Sequence, residues 1–206
     1  MKRPVTNDAV KHIVTQYKRR GKPVIGSVAP QFELPAVLPD GKTAVVSMKQ
    51  SVDAKKWLVL FFYPRDFSTV CPTELNDLAD RIDEVRELDA EVVAISTDSI
   101  QSHADWQQVP REHNGIQHIS FPLASDFTGD VSQAYGVLDG QSYTSMRSTI
   151  IVNPQGEICY YLMHADLVGR DTSELLRVLE ALQTGEACGV NWQPGDELLS
   201  KEDVSS

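Results

Sequence analysis

The sequence predicts an α/β fold in which a central mixed β-sheet is flanked by helices. Three observations carry this. WLVLFFY (57–63) is continuously apolar, too short for a helix and stopped by Pro64, so it reads as a strand buried on both faces. A helical pattern follows, with Leu75, Leu78, Ile82, Val85 and Leu88 recurring at spacings of three and four, and then a second buried strand, EVVAIST (91–97). Strand, helix and strand in that order imply a parallel pair with a right-handed crossover.

The remaining elements fit around that unit. Residues 1–22 are polar and rich in Lys and Arg, and read as an N-terminal extension before a domain spanning 23–184. PQFELPAVLPDGKTAVVSM alternates apolar and polar residues about the Pro39-Asp40-Gly41 turn, which predicts a β-hairpin. SIQSHADWQQVPREHN reads as a helix until Pro110, FPLAS as a short strand and TGDVSQAYGV as a short helix. A second hairpin spans 148–153 and 157–163 around Asn153-Pro154-Gln155-Gly156. DTSELLRVLEALQTG is an amphipathic helix capped by Asp171 or Thr172 and ended by Gly185. Residues 185–206 lack periodicity and read as a C-terminal tail.

Composition narrows the function. Among 206 residues, 19 basic against 29 acidic give a net charge of −10, so the average field repels nucleic acid. The longest apolar run is far shorter than the ~20 residues a membrane span needs, and the charged N-terminus does not resemble a secretory signal. Three cysteines, at 71, 159 and 188, form neither a disulfide framework nor a C-x-x-C motif, which points to a reducing, cytoplasmic setting. The five histidines (12, 103, 113, 118 and 164) have no metal-ligand spacing, and neither a metal nor a cofactor is expected.

The chemistry concentrates in FFYPRDFSTVCPTEL (61–75). Cys71 follows the C-terminal end of a buried strand, where α/β folds place their sites. Pro72 suits the first helical position, putting Cys71 at the N-cap and Glu74 third, with the thiol at the positive helix end. Backbone N–H groups there favour a thiolate: a thiol of pKa ~8.5 is about 3% ionised at pH 7, one at ~6 about 90%. Arg65, Asp66 and Arg147 are candidate charged neighbours, and Ser68 supplies a hydroxyl. From the residues alone, Cys71 as a small buried apolar residue stays open beside the reactive reading.

This segment resembles the Pro-x-x-x-Thr/Ser-x-x-Cys motif of peroxiredoxins, and the chain is similar to typical 2-Cys members, the alkyl hydroperoxide reductase C and thioredoxin peroxidase group. The resemblance runs from about Gly26 to Asp196 and includes VVAISTDS, FPLASD, MRSTIIVNPQG and GRDTSELLR. It implies a thioredoxin-like fold and a thiol-specific peroxidase reducing hydrogen peroxide and organic hydroperoxides. Cys71 would attack the peroxide, Pro64 shield the pocket, Ser68 and Arg147 bond thiolate and peroxide, and Glu74 orient Arg147. Cys188, in a segment similar to the VCPxxWxPG tail but with Gly189 for the usual Pro, would be the resolving cysteine, paired with Cys71 of another subunit. That implies a homodimer, often built into a decamer, recycled by a thioredoxin-like or flavoprotein disulfide reductant. The Gly-Gly-Leu-Gly insertion and Tyr-Phe helix of overoxidation-sensitive members are missing, implying fast resolution.

Cys159 reads as structural, and Trp106 and Trp192 as packing residues. Arg170 stays open between a site role and a salt bridge at a helix start. Two other classes compete: a Cys–His hydrolase, and a binding module acting as a holdase or redox relay.

Overall fold

Strand β3 (Trp57–Phe62) is the axis of the molecule, and its alternation builds two cores at once. Val59, Phe61 and Tyr63 enter one apolar layer, while Leu58, Leu60 and Phe62 enter the other. A strand with period-2 side chains and two buried faces must be apolar throughout, which is why the run is unbroken. A computed structural model of the chain describes residues 23–199; the expected extension, 1–22, lies outside the described residues.

Around β3 the elements follow in the order β1 (Glu33–Val37), β2 (Thr43–Ser47), α1 (Met48–Asp53), then α2 (Cys71–Asp80), α3 (Ile82–Glu87), β4 (Ala90–Ser96) and α4 (Ile100–Gln107). After a 3₁₀ turn at Arg111–His113 come β5 (Leu123–Ser125), α5 (Asp130–Ala134), β6 (Ser148–Val152), β7 (Ile158–Met163) and α6 (Thr172–Thr184). Among the described residues, seven strands form one mixed sheet in the order β2-β1-β5-β4-β3-β6-β7. β4 runs parallel to β3 and β5, whereas β6 is antiparallel to β3 and to β7. Both predicted hairpins are present, β1–β2 and β6–β7. The first turns at Gly41, whose φ of 80° suits a residue without Cβ.

Three features differ from the sequence reading. The single helix expected through 75–88 is two, because Arg81 leaves helical geometry at φ −110° and ψ 14° while its guanidinium bonds Glu84 and Ser173. The apolar spacing persists across the break, since Leu75, Leu78, Ile82 and Val85 all pack into one layer. Helix α1 was not expected; the Ser47 N–H donates to Gln50 Oε1 at its start. The tail, through residue 199, is a closed loop: Leu199 N–H donates to Ala187 O, and Trp192 is buried beside Arg177, which donates to its carbonyl. Among the described residues, no helix is long and apolar enough to cross a membrane.

Candidate active site

Sheet pairing assembles the site from distant segments. Phe62 pairs with Ser148, so Arg147, one residue before β6, lies beside the chain leaving the end of β3. That chain passes through buried Pro64 and returns as α2, whose first residue is Cys71. The helix starts one residue earlier than the N-cap placement expected. Val70 is already helical and its carbonyl accepts from Thr73 N–H (3.1 Å) and Glu74 N–H (3.4 Å), which makes Val70 the cap and leaves Pro72 second. Pro72 lacks an N–H where the helix needs none, so the shift costs nothing and keeps the thiol in the first turn.

Cys71 is fully buried, and its sulfur lies 3.5 Å from Arg147 Nη1. The same nitrogen donates to Glu74 Oε2 at 2.5 Å. Ser68 Oγ accepts from the Cys71 N–H (3.4 Å), so its own hydrogen stays available to donate. Asp166 O accepts from Arg147 Nε (3.2 Å) and Nη2 (2.7 Å), fixing the guanidinium from its other side. A cavity of about 160 Å³ is lined by Pro64, Met146, Arg147, His164 and Asp166, with exposed Arg65 at its edge.

Arg170 makes its salt bridge to Glu74 in the first turn of α2, and not within its own helix start. Its Nε and backbone N–H donate to Glu74 Oε1 (2.9 and 2.7 Å), and Nη2 reaches Glu74 Oε2 (3.1 Å). Nη1 donates to the carbonyls of Phe62 and Ser148, and the guanidinium lies 3.3 Å from the Phe61 ring centroid. Glu74 is therefore one carboxylate between two buried cations. Burial pushes its carboxyl up, but bonds from Arg170, then its charge and that of Arg147, outweigh this and hold it below the ordinary range. Burial also works against the charge of Arg147, yet Glu74 and the Cys71 sulfur leave it held up; for Arg170 burial wins and lowers it.

A second buried network supports the 64–70 loop. Asp66 accepts from Tyr63 OH (2.8 Å), Ser102 Oγ (2.7 Å) and His103 Nδ1 (2.8 Å), and its N–H donates to Asp98. Burial, reinforced by the charge of Asp66, raises Tyr63 well above its usual value and raises Asp98 as well. Sequence reasoning missed this network, and it missed Asp166, which acts through a main-chain carbonyl. For the network one signal existed: Tyr63 ends an apolar run with a phenol, and a buried phenol needs a partner.

The structure thus brings Cys71, Ser68, Pro64, Glu74 and Arg147 together. Cys188 lies elsewhere, half-buried past the C-terminal end of α6, with Sγ 3.6 Å from Thr184 Oγ1. The helix alone separates it from Arg170 by about 20 Å. Cys159 is half-buried on β7, and burial raises its thiol. All three cysteines are free thiols. Trp106 is fully buried against Tyr63 and Phe67.

Residues 25–161 match the model of the AhpC/TSA family. The chain belongs to the AhpC/TSA family. It is 45% identical to the YkuU protein of Bacillus subtilis (strain 168) over 176 residues, 85% of this chain and 98% of that one. It is 36% identical to the 2-cysteine peroxiredoxin, chloroplastic, of Chattonella marina var. antiqua, over 88% of this chain and 94% of that one. The reduced 2-Cys peroxiredoxin of Plasmodium vivax superposes with a TM-score of 0.83 at 31% identity, covering 88% of this chain and 98% of that chain. The expected thioredoxin-like fold holds, and this peroxiredoxin is a thiol-dependent peroxidase, an oxidoreductase.

Proposed function

We propose that Cys71 is the peroxidatic residue, acting within a catalytic domain over 23–184. Its thiolate attacks one peroxide oxygen; an S–O bond forms, the O–O bond breaks, and the leaving oxygen takes a proton to depart as water or alcohol. The sulfur is oxidised to sulfenic acid as the peroxide is reduced. The observation that carries this reading is the Arg147 guanidinium 3.5 Å from a buried sulfur in the first turn of a helix. The cation and the positive end of the helix stabilise the thiolate, and the guanidinium meets the charge developing on oxygen. Glu74 and Arg170 hold Arg147 in place, Pro64 keeps water off the sulfur, and Ser68 offers its hydroxyl to the peroxide. Hydrogen peroxide and small organic hydroperoxides are the substrates, reduced in a cytoplasmic setting.

In the second step Cys188, carried by the 185–206 tail, attacks the sulfenic sulfur of a second copy, forming a disulfide and releasing water. Its place past the far end of α6 supports a partner in another subunit, and so a homodimer capable of forming a decamer. Cys71 is fully buried, so the first turn of α2 must open locally to admit that thiol. A thioredoxin-like or flavoprotein reductant then restores both thiols. The test is non-reducing electrophoresis after one equivalent of peroxide. The wild type should run as a dimer and Cys188→Ser as a monomer; a dimer band persisting in the variant would refute the assignment of Cys188.

A further inference from the structure

Both arginines depend on the loop of residues 164–170 between β7 and α6. Asp166 supplies the carbonyl that grips Arg147, and Arg170 grips Glu74. Little apolar burial shapes this loop: Leu167 is 86% exposed and Val168 54%. Its form must come from specific bonds, because an exposed irregular segment otherwise keeps its conformational freedom. His164 makes them. Its backbone N–H donates to Arg147 O (2.9 Å), and its ring Nδ1 lies 3.3 and 3.2 Å from the carbonyls of Val168 and Gly169. Carbonyl oxygens only accept, so the network assigns the ring hydrogen to Nδ1. The imidazole therefore braces, beside that backbone bond, a short turn with Asp166 at its middle. It also lines the cavity shared by Pro64, Met146 and Arg147.

We infer that His164 is a positioning residue for peroxide reduction: its Nδ1–H staples the loop whose Asp166 carbonyl aims Arg147 at the Cys71 sulfur. The inference rests on the reading of Arg147 as the group that binds thiolate and peroxide. A misplacement of about 1 Å in such a group costs up to about a hundredfold. Arg147 keeps its bond to Glu74 when the staple is lost, so a smaller effect is expected.

The test is single-turnover stopped flow, following tryptophan fluorescence as the reduced full-length protein meets hydrogen peroxide. His164→Ala should slow the reaction about tenfold. His164→Asn, whose amide nitrogen occupies the place of Nδ1, should recover to within about threefold of wild type, whereas His164→Gln, which reaches the place of Nε2, should stay slow. In an Arg147→Ala background, His164→Ala should add no further loss, because the residue acts through that arginine. If His164→Ala does not fold, the contrast between Asn and Gln decides. An Ala variant as fast as wild type, an Asn variant as slow as Gln, or a fully additive loss without Arg147 would each overturn the inference. A wild-type reaction that depends on Cys71 and Arg147 but not His164 overturns this inference alone; one that survives Cys71→Ser overturns the site reading as well.

Discussion

Replacing Glu74 with Gln is expected to destabilise the fold by about 3–5 kcal/mol, the range for removing one partner from a buried ion pair. Glu74 is 4% exposed and accepts from the guanidinium groups of both Arg147 and Arg170. An amide removes the carboxylate that the two buried cations share and turns an N–H₂ group towards one of them. Urea unfolding reads the loss as a lower midpoint at unchanged slope. The pH dependence has a definite sign. The folded carboxyl is held below its ordinary 4.5, so the unfolded chain binds that proton more readily. The stability it contributes is complete above that unfolded value and is lost as pH falls through the folded one. The variant should lack this acid-side decline. A loss under about 1 kcal/mol, or an acid slope equal to wild type, would show that the arginines need no carboxylate between them.

The largest kinetic effect is expected at Arg147. Arg147→Ala should lower the rate of Cys71 with peroxide by about 10²–10³-fold, as for the loss of a preorganised donor to a developing oxyanion. Arg147→Lys should recover little. One ammonium cannot reach Cys71 Sγ, Glu74 Oε2 and Asp166 O together, whereas the planar guanidinium turns Nη1 to Cys71 and Glu74 and Nε and Nη2 to Asp166 O. Stopped flow on the reduced protein measures both variants. Recovery by Lys to near wild type would mean that charge alone matters and the fork geometry does not.

How much of this was legible depended on the range of each interaction. β3, β4 and the β6–β7 hairpin were readable because burial on one face or two imposes a local apolar pattern. α2 and α3 were readable as apolar spacing but not as separate helices, because the break at Arg81 is held by Ser173, 92 residues away. Cys71, Ser68 and Pro64 share one short motif, so local chemistry pointed to them. Arg147 was one of several candidate charged neighbours and Glu74 a first-turn residue, and only family resemblance gave each a role.

The sequence by itself determined the mixed sheet and the strand-to-helix turn that puts Cys71 in the first turn of a helix. Each of these is encoded in neighbouring residues, through side-chain period, turn residues and helix-end polarity. Only the tertiary structure decided that Arg170 serves Glu74 instead of its own helix, that Asp166 holds Arg147 by a main-chain carbonyl, and that His103 and Tyr63 converge on Asp66. Those contacts join segments brought together by strand order, and a carbonyl oxygen has no residue type by which a sequence could announce it.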